Sequence, residues 1–370
     1  MKLKPFQLEL FFAKYEFTCP YLLCASDCES LSIDELLMLS GTSRDTLLQA
    51  KLGYTESQGD EALRASIADT TPGVSTDEVI FLSAPEEGIY IALNALLSPG
   101  DHVIVLSPIY ESLLNLAEEI TGNVSLWKFQ QNNGAWSLDE NELYRLITPK
   151  TKCLILNFPH NPTGFLPDEN TLKRILNWAA AQGITVFSDE MYRGLEMDPQ
   201  TRLPSAVELN QQTIVLSGLS KTYGLPGLRA GWLIVKDAAL RAEMLNWKLY
   251  TSICASKPSE ILTQAALNCR EKLASRNRDI IANNIAAAAP FFERWQSLFT
   301  WSPPHAGSVA LIEVQQPSAS EFCETLAKAG FLLLPSRYMN FGDQHVRFGF
   351  GRLSFLTNLQ ALEKYLDDHF

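Results

Sequence analysis

Between residues 79 and 235, short apolar runs alternate with stretches of helical period. VIFLS (79–83), HVIVL (102–106), CLILNF (153–158), ITVFSD (184–189), TIVLSG (213–218) and RAGWLIV (229–235) read as buried strands. Each is a short apolar run bounded by turn formers. Between them lie three helical patterns. EEGIYIALNALL is stopped by Ser98-Pro99-Gly100, YESLLNLAEEI ends near Gly122, and DENTLKRILNWAAAQ starts at Asp168 and ends at Gly183. Acidic or polar starts and glycine stops are the expected helix punctuation. Strands without internal polar alternation, separated by helices, predict a mainly parallel sheet covered on both faces.

Beyond about residue 270 the pattern changes to a long helix (272–295), then VALIEV (309–314), a helix over 319–330, FLLLP (331–335), HVRFGF (345–350) and a terminal helix (356–370). The predicted architecture is α/β. A large domain spans 41–270, and a smaller α+β domain is formed by residues 1–40 and 271–370.

Composition narrows the function. Hydrophobic residues are 46% and charged residues 19% of the chain, a globular balance. The net charge of -12 argues against nucleic-acid binding, which rests on cations meeting phosphates. Seven cysteines form neither an even framework nor a Cys/His metal pattern, so reduced structural thiols are expected and no metal site. The first residues, MKLKPFQLELFFAKYEF, are broken by Lys14 and Glu16 and lack a cleavage pattern, and no run is long enough to span a membrane. A cytoplasmic protein without membrane partners is the expectation.

The most informative stretch runs from Ser217 to Trp232, SGLSKTYGLPGLRAGW. Lys221 follows an apolar strand and precedes a Gly/Pro loop. Burial there lowers a lysine's pKa and makes its amine nucleophilic. Arg229 follows as a fixed guanidinium suited to a phosphate. The stretch resembles the lysine motif of the class I/II aminotransferases of pyridoxal-phosphate fold type I. Three further segments fall in the order of that family: Asn157-Phe158-Pro159-His160-Asn161-Pro162-Thr163-Gly164, Ser188-Asp189-Glu190-Met191-Tyr192, and Val346-Arg347-Phe348-Gly349-Phe350.

The resemblance implies a seven-stranded-type sheet, pyridoxal 5'-phosphate as cofactor, and Lys221 as its Schiff-base residue. It implies that Asp189 pairs with the pyridine nitrogen, that Asn161 and Tyr192 bind the phenolic oxygen, and that Arg347 binds the substrate α-carboxylate, with Arg352 a nearby competitor. Gly349 stands where the family usually has serine. His160 and Glu190 read as structural. Tyr110 is the candidate to stack on the ring. Ser217, Ser220 and Arg229 are candidates for the phosphate. Tyr54 resembles a tyrosine that reaches the neighbouring subunit's phosphate, which implies a homodimer with sites at the interface.

One turn departs from the family. Where a Gly-rich turn usually holds the phosphate, this chain has Ser83-Ala84-Pro85-Glu86-Glu87-Gly88. Pro85 has no N–H to offer, which leaves the N–H groups of Glu86 and Glu87 at a helix start.

The implied activity moves an amino group from an amino acid to a 2-oxo acid, with Lys221 as base for the Cα proton. A lyase or cyclase would use the same residues. The segments SDCESLS (26–32) and TSICASKPSE (251–260) resemble bacterial homologues near capreomycidine synthase, a cyclase. The donor's side chain is not legible. Phe17, Trp247 and Tyr250 are candidate pocket walls as much as core aromatics, and Lys248 and Lys257 read as surface lysines.

Overall fold

The computed structural model describes residues 3–370. Its centre is a seven-stranded sheet. The strands are β1 (Val79–Leu82), β2 (His102–Ser107), β3 (Val124–Lys128), β4 (Thr151–Asn157), β5 (Thr185–Asp189), β6 (Thr213–Gly218) and β7 (Gly231–Ile234). They lie in the order β1-β7-β6-β5-β4-β2-β3. Strands β2 to β6 pair in parallel, and β7 runs antiparallel to β6 and β1. Strand β3 did not stand out in the sequence, because as an edge strand it is only half-buried and carries Ser125 and Lys128 among its apolar residues.

The register aligns the strand ends. Asn157 lies opposite Asp189, Asp189 opposite Leu216, and Gly218 opposite Gly231. The loops that leave the C-terminal edge of the parallel strands therefore converge on one crevice, where open α/β sheets hold ligands.

Helices cover both faces. The helix Glu169–Ala181 starts where the Asp168 side chain accepts from the Thr171 N–H, which satisfies an otherwise free donor. The helix Pro85–Leu96 lies close on the sheet because Gly88 has no side chain. A Cβ there would stand 2.6 Å from Leu82 Cδ1 and 2.8 Å from Leu216 Cδ1.

A second, antiparallel sheet holds β8 (Phe299–Thr300), β9 (Val309–Val314), β10 (Leu334–Pro335) and β11 (His345–Gly349), in the order β8-β9-β11-β10. The expected single strand at 331–335 is two short ones, since Phe331–Leu332 pairs instead with Tyr21–Leu22. The N-terminal segment also divides. The helix Gln7–Tyr15 packs through Leu8 and Phe11 beside Leu332 and Leu334, whereas Leu36 and Leu37 of the helix Ile33–Ser40 join the large-sheet core. Residues 1–40 thus do not all side with the smaller sheet. No helix of the described residues is long and apolar enough to cross a membrane.

Candidate active site

The crevice is a cavity of about 370 Å³ between the two sheets. Lys221, Asp189, Tyr192, Asn161, Tyr110 and Arg347 all line it. Lys221 is half-buried, and its Nζ donates to Ser26 Oγ at 2.8 Å. Burial lowers the lysine's pKa from its ordinary 10.5, opposed by the Asp27 carboxylate.

Asp189 is buried at the end of β5, and one of its oxygens accepts from the Met191 N–H at 3.0 Å. Burial pushes its carboxyl up to about 7. The Tyr192 hydroxyl is buried with no hydrogen-bond partner, a costly state unless a ligand supplies one. Asn161 donates its backbone N–H to Asn157 Oδ1 at 2.8 Å, which fixes the loop that presents its side chain.

His160 beside it is structural. Its Nε2 meets the Pro108 carbonyl at 2.8 Å and its Nδ1 the Thr163 hydroxyl at 2.7 Å. A carbonyl only accepts, so Nε2 carries the proton. Burial holds the ring's pKa down to about 3, and it stays neutral.

The opposite end of the cavity is built differently. Ala84 and Pro85 open the helix Pro85–Leu96. The proline ring fills space above two bare strand positions, since a Cβ on Gly231 would stand 2.9 Å from Pro85 Cγ and one on Gly218 3.1 Å. Gly218 therefore has no side chain to aim at the cavity.

Ser217, expected near a phosphate, lies one strand position earlier and faces the other way. It lines a separate cavity of about 300 Å³ with Arg193, Arg202 and Tyr223. Glu87 also turns away. Its carboxylate accepts from the Ser83 N–H at 2.9 Å and the Thr251 hydroxyl at 2.5 Å, and its own N–H donates to the Ala84 carbonyl.

Glu86 does line the cavity, and burial pushes its carboxyl up to about 7. Ser220 is buried beside Lys221 and also lines it. Arg229 reaches the cavity from an exposed loop position. Its φ of 50° is the left-handed region that non-glycine residues hold only under constraint. Tyr54 is 91% exposed and does not line this chain's own cavity.

Of the two candidate carboxylate-binding arginines, only Arg347 faces the cavity. It is 2% exposed. Its Nε and Nη2 donate to the Cys24 carbonyl at 3.1 and 2.9 Å, and its Nη1 to Asn161 Oδ1 at 3.3 Å. Arg352 is committed to Asp27, 2.7 Å away.

The sequence profile of the family Aminotransferase class I and II matches residues 44–367. This chain belongs to that family. A PLP-dependent aminotransferase from Streptococcus suis has the same fold, with a TM-score of 0.93 and 29% identity over 100% of this chain and 99% of that one. A probable aspartate aminotransferase of Methanocaldococcus jannaschii is 25% identical over 93% of each chain. The capreomycidine synthase of Streptomyces vinaceus is 27% identical over 85% of this chain and 80% of its own. Members of this aminotransferase family use pyridoxal 5'-phosphate. The chain's residues fit that cofactor, because a half-buried amine, a buried carboxyl and an unpartnered buried phenol share one cavity.

The family motifs did not reveal how far the N-terminal segment enters the aminotransferase cleft. Residues 23–28 cross β11 so closely that a Cβ on Gly349 would stand 1.8 Å from the Ala25 carbonyl oxygen, and one on Gly351 2.4 Å from that of Asp27. That crossing explains glycine in place of the family's serine at 349. It carries Ser26 and Asp27 into the cavity, where Glu9 and Glu16 also face. The two glycines were the only sequence signal of it.

The proposed pocket walls lie elsewhere. Phe17 and Tyr250 are exposed, and Trp247 packs edge-on to Tyr90 at 6.1 Å. Lys248, expected at the surface, is fully buried and donates to Ser252 Oγ at 2.7 Å, with Glu87 4.0 Å away. Lys257 pairs with Asp60 at 3.2 Å.

Proposed function

We propose that the protein is a transaminase in which Lys221 takes the Cα proton of a bound amino acid and returns it to the carbon on the far side of the amino nitrogen, so that the amino group passes to a 2-oxo acid in a second half-reaction. The observation that carries this reading is the Lys221 amine with its lowered pKa, in one cavity with the unpartnered Tyr192 hydroxyl. Bound there, pyridoxal 5'-phosphate supplies an aldehyde for the amino group and a protonated ring that takes up the Cα electron pair.

Asp189 holds the proton on the ring nitrogen. The pKa of about 7 that burial gives it would fall once that cation pairs with it. Tyr192 and Asn161 hold the phenolic oxygen, and Tyr110 lies against the ring. Arg347 receives the α-carboxylate; its guanidinium is already braced by Cys24 and Asn161, so little order is lost on binding. Ser26 holds the free Lys221 amine by its 2.8 Å bond. Arg229, Ser220 and the Glu86 N–H serve the phosphate.

The test is to add pyridoxal phosphate and titrate amino acids while following the visible absorbance. Loss of the Schiff-base band in favour of the pyridoxamine form is expected with at least one donor. A second reading, a lyase or cyclase, is favoured by the likeness to capreomycidine synthase. It would show as product formed without accumulation of the pyridoxamine form.

A homodimer with Tyr54 completing the second copy's phosphate site is consistent with the exposure of Tyr54, at 91%, and of the large apolar Leu48, Leu52, Tyr250 and Ile253. Sedimentation of an active monomer would rule that out. A cytoplasmic location fits seven unpaired cysteines, of which burial pushes Cys24, Cys28 and Cys153 up to about 12.

A further inference from the structure

The cations of the cavity are all spoken for under the transaminase reading, on which this inference rests. Lys221 and Arg229 serve the cofactor, and Arg347 the α-carboxylate. What remains on the wall contributed by the N-terminal segment is negative: Glu9, Glu16 and Asp27. They are unequally neutralised. Asp27 has Arg352 at 2.7 Å. Glu9 accepts from the Tyr110 hydroxyl at 2.9 Å, a neutral donor that leaves its charge in place. Glu16 is half-buried and, among the described residues, its side chain makes no hydrogen bond or ion pair, although the Arg352 and Lys221 charges act on it from a distance. Burial first, then repulsion by Asp27 and Glu9, raises its pKa.

Carboxylates gathered beside a half-buried one raise the cost of its charge. Glu9 is exposed, as on an ordinary acidic surface, but Glu16 and Asp27 are half-buried and all three line the cavity that holds Lys221 and Arg347. The Tyr192 hydroxyl, 3% exposed and without a partner, opens into the same space.

We infer that the amino-acid donor carries a cationic side chain, an amine or guanidinium, received by Glu16 with Asp27 and Glu9 beside it. The stem of such a donor is also provided for. Leu8 and Phe12 line the cavity on the same segment, and the Phe12 ring lies 5.8 Å from the Arg347 guanidinium. An aliphatic chain leaving the α-carboxylate at Arg347 therefore passes an apolar stretch before it meets the acids. A dicarboxylic donor meets the same wall with the wrong sign, so this cleft is unsuited to aspartate.

The experiment uses the cofactor-loaded protein with ornithine, arginine, norleucine and glutamate, following loss of the Schiff-base absorbance. Ornithine or arginine is expected to exceed norleucine in kcat/KM by roughly ten-fold or more, the worth of a hydrogen bond to a charged group, and to exceed glutamate by more. Glu16→Gln should cut the ornithine-to-norleucine ratio by roughly ten-fold. Because Glu16 holds no other residue, the variant should fold as the parent does.

Calorimetric binding of ornithine and norleucine to borohydride-reduced protein, in which no transfer occurs, should show the same preference and the same loss in Glu16→Gln. Norleucine or glutamate reacting and binding as well as ornithine would overturn the cationic assignment and leave the transaminase reading standing. No spectral change with any donor would bring down both.

Discussion

The two ends of one cavity were assembled by different means. At the ring end, Lys221, Asp189, Asn161 and Tyr192 sit at or just beyond strand ends that the sheet register aligns. Each brings its own side-chain chemistry. At the phosphate end, Pro85 offers no backbone donor, Gly218 offers no side chain and Glu87 turns away, while Glu86 faces the cavity with its carboxyl raised to about 7. The first two are coupled, because the proline ring occupies the space above Gly218 and Gly231. Side-chain chemistry is thus retained where no other group substitutes. In the proposed site several groups would share the phosphate, and a shared task can be redistributed.

The largest test of this contrast is Lys221→Ala. It should erase the Schiff-base band and lower turnover by at least about 10³-fold, as expected when a nucleophile and general base are both lost. A band that survives the substitution would sink the assignment of Lys221. Next comes Arg347→Ala, which should raise the donor KM by roughly 10- to 100-fold, the cost of a lost charge-assisted pair, with the cofactor spectrum intact. Arg352→Ala should act less on KM, since that side chain faces Asp27 and not the cavity. An equal rise in both variants would show that the carboxylate is shared.

At the phosphate end, adding a hydroxyl at Gly218 should do harm. In Gly218→Ser the new Cβ would stand 2.8 Å from the Ala230 carbonyl oxygen and 3.1 Å from Pro85 Cγ. A loss of about 1–3 kcal/mol in stability is expected, the usual cost of overpacking, measured as a fall in the denaturant midpoint. A variant as stable as the parent with tighter cofactor binding would mean that the proline does not hold that space.

The sequence made the ring end legible because its motifs are contiguous and each residue type has one chemical use. Six of the seven strands were legible from their apolar runs, and β3 was not, because it is a half-buried edge strand that need not be apolar throughout. Ser217 was misjudged because the face of a strand reverses with every residue, and one position separates the cavity from the opposite side of the sheet. Lys248 was misjudged because its burial depends on Glu87 and Ser252, partners that no local pattern announces. The acidic wall was invisible for a similar reason. Asp27 comes near Arg347 because the chain crosses Gly349 and Gly351, and Glu9 and Glu16 because the helix Gln7–Tyr15 packs on Leu332 and Leu334, contacts between segments over three hundred residues apart.

The smallest expected effect is also the sharpest probe of the rebuilt end. Burial raises the Glu86 carboxyl to about 7 from an ordinary 4.5. A carboxyl whose pKa rises on folding binds its proton more tightly in the native state. Its contribution is therefore most favourable below pH 4.5 and is lost as pH climbs towards 7. Above that, the native protein carries an ionised, half-buried carboxylate beside the proposed phosphate site. Glu86→Gln removes that burden, so at pH 8 the variant should gain on the order of 1 kcal/mol in stability, discounted for partial exposure. The gain should vanish near pH 4.5. Asp189 is also raised to about 7 by burial, and its charge helps raise Glu86, so the comparison reports Glu86 together with its coupling to Asp189. Cofactor affinity should follow the same sign: the parent's should weaken from pH 6 to pH 8 relative to the variant's, because a protonated acid donates to phosphate and its anion repels it. Parallel pH curves for the two proteins would place Glu86 outside the phosphate's reach and leave Arg229 and Ser220 to hold that end.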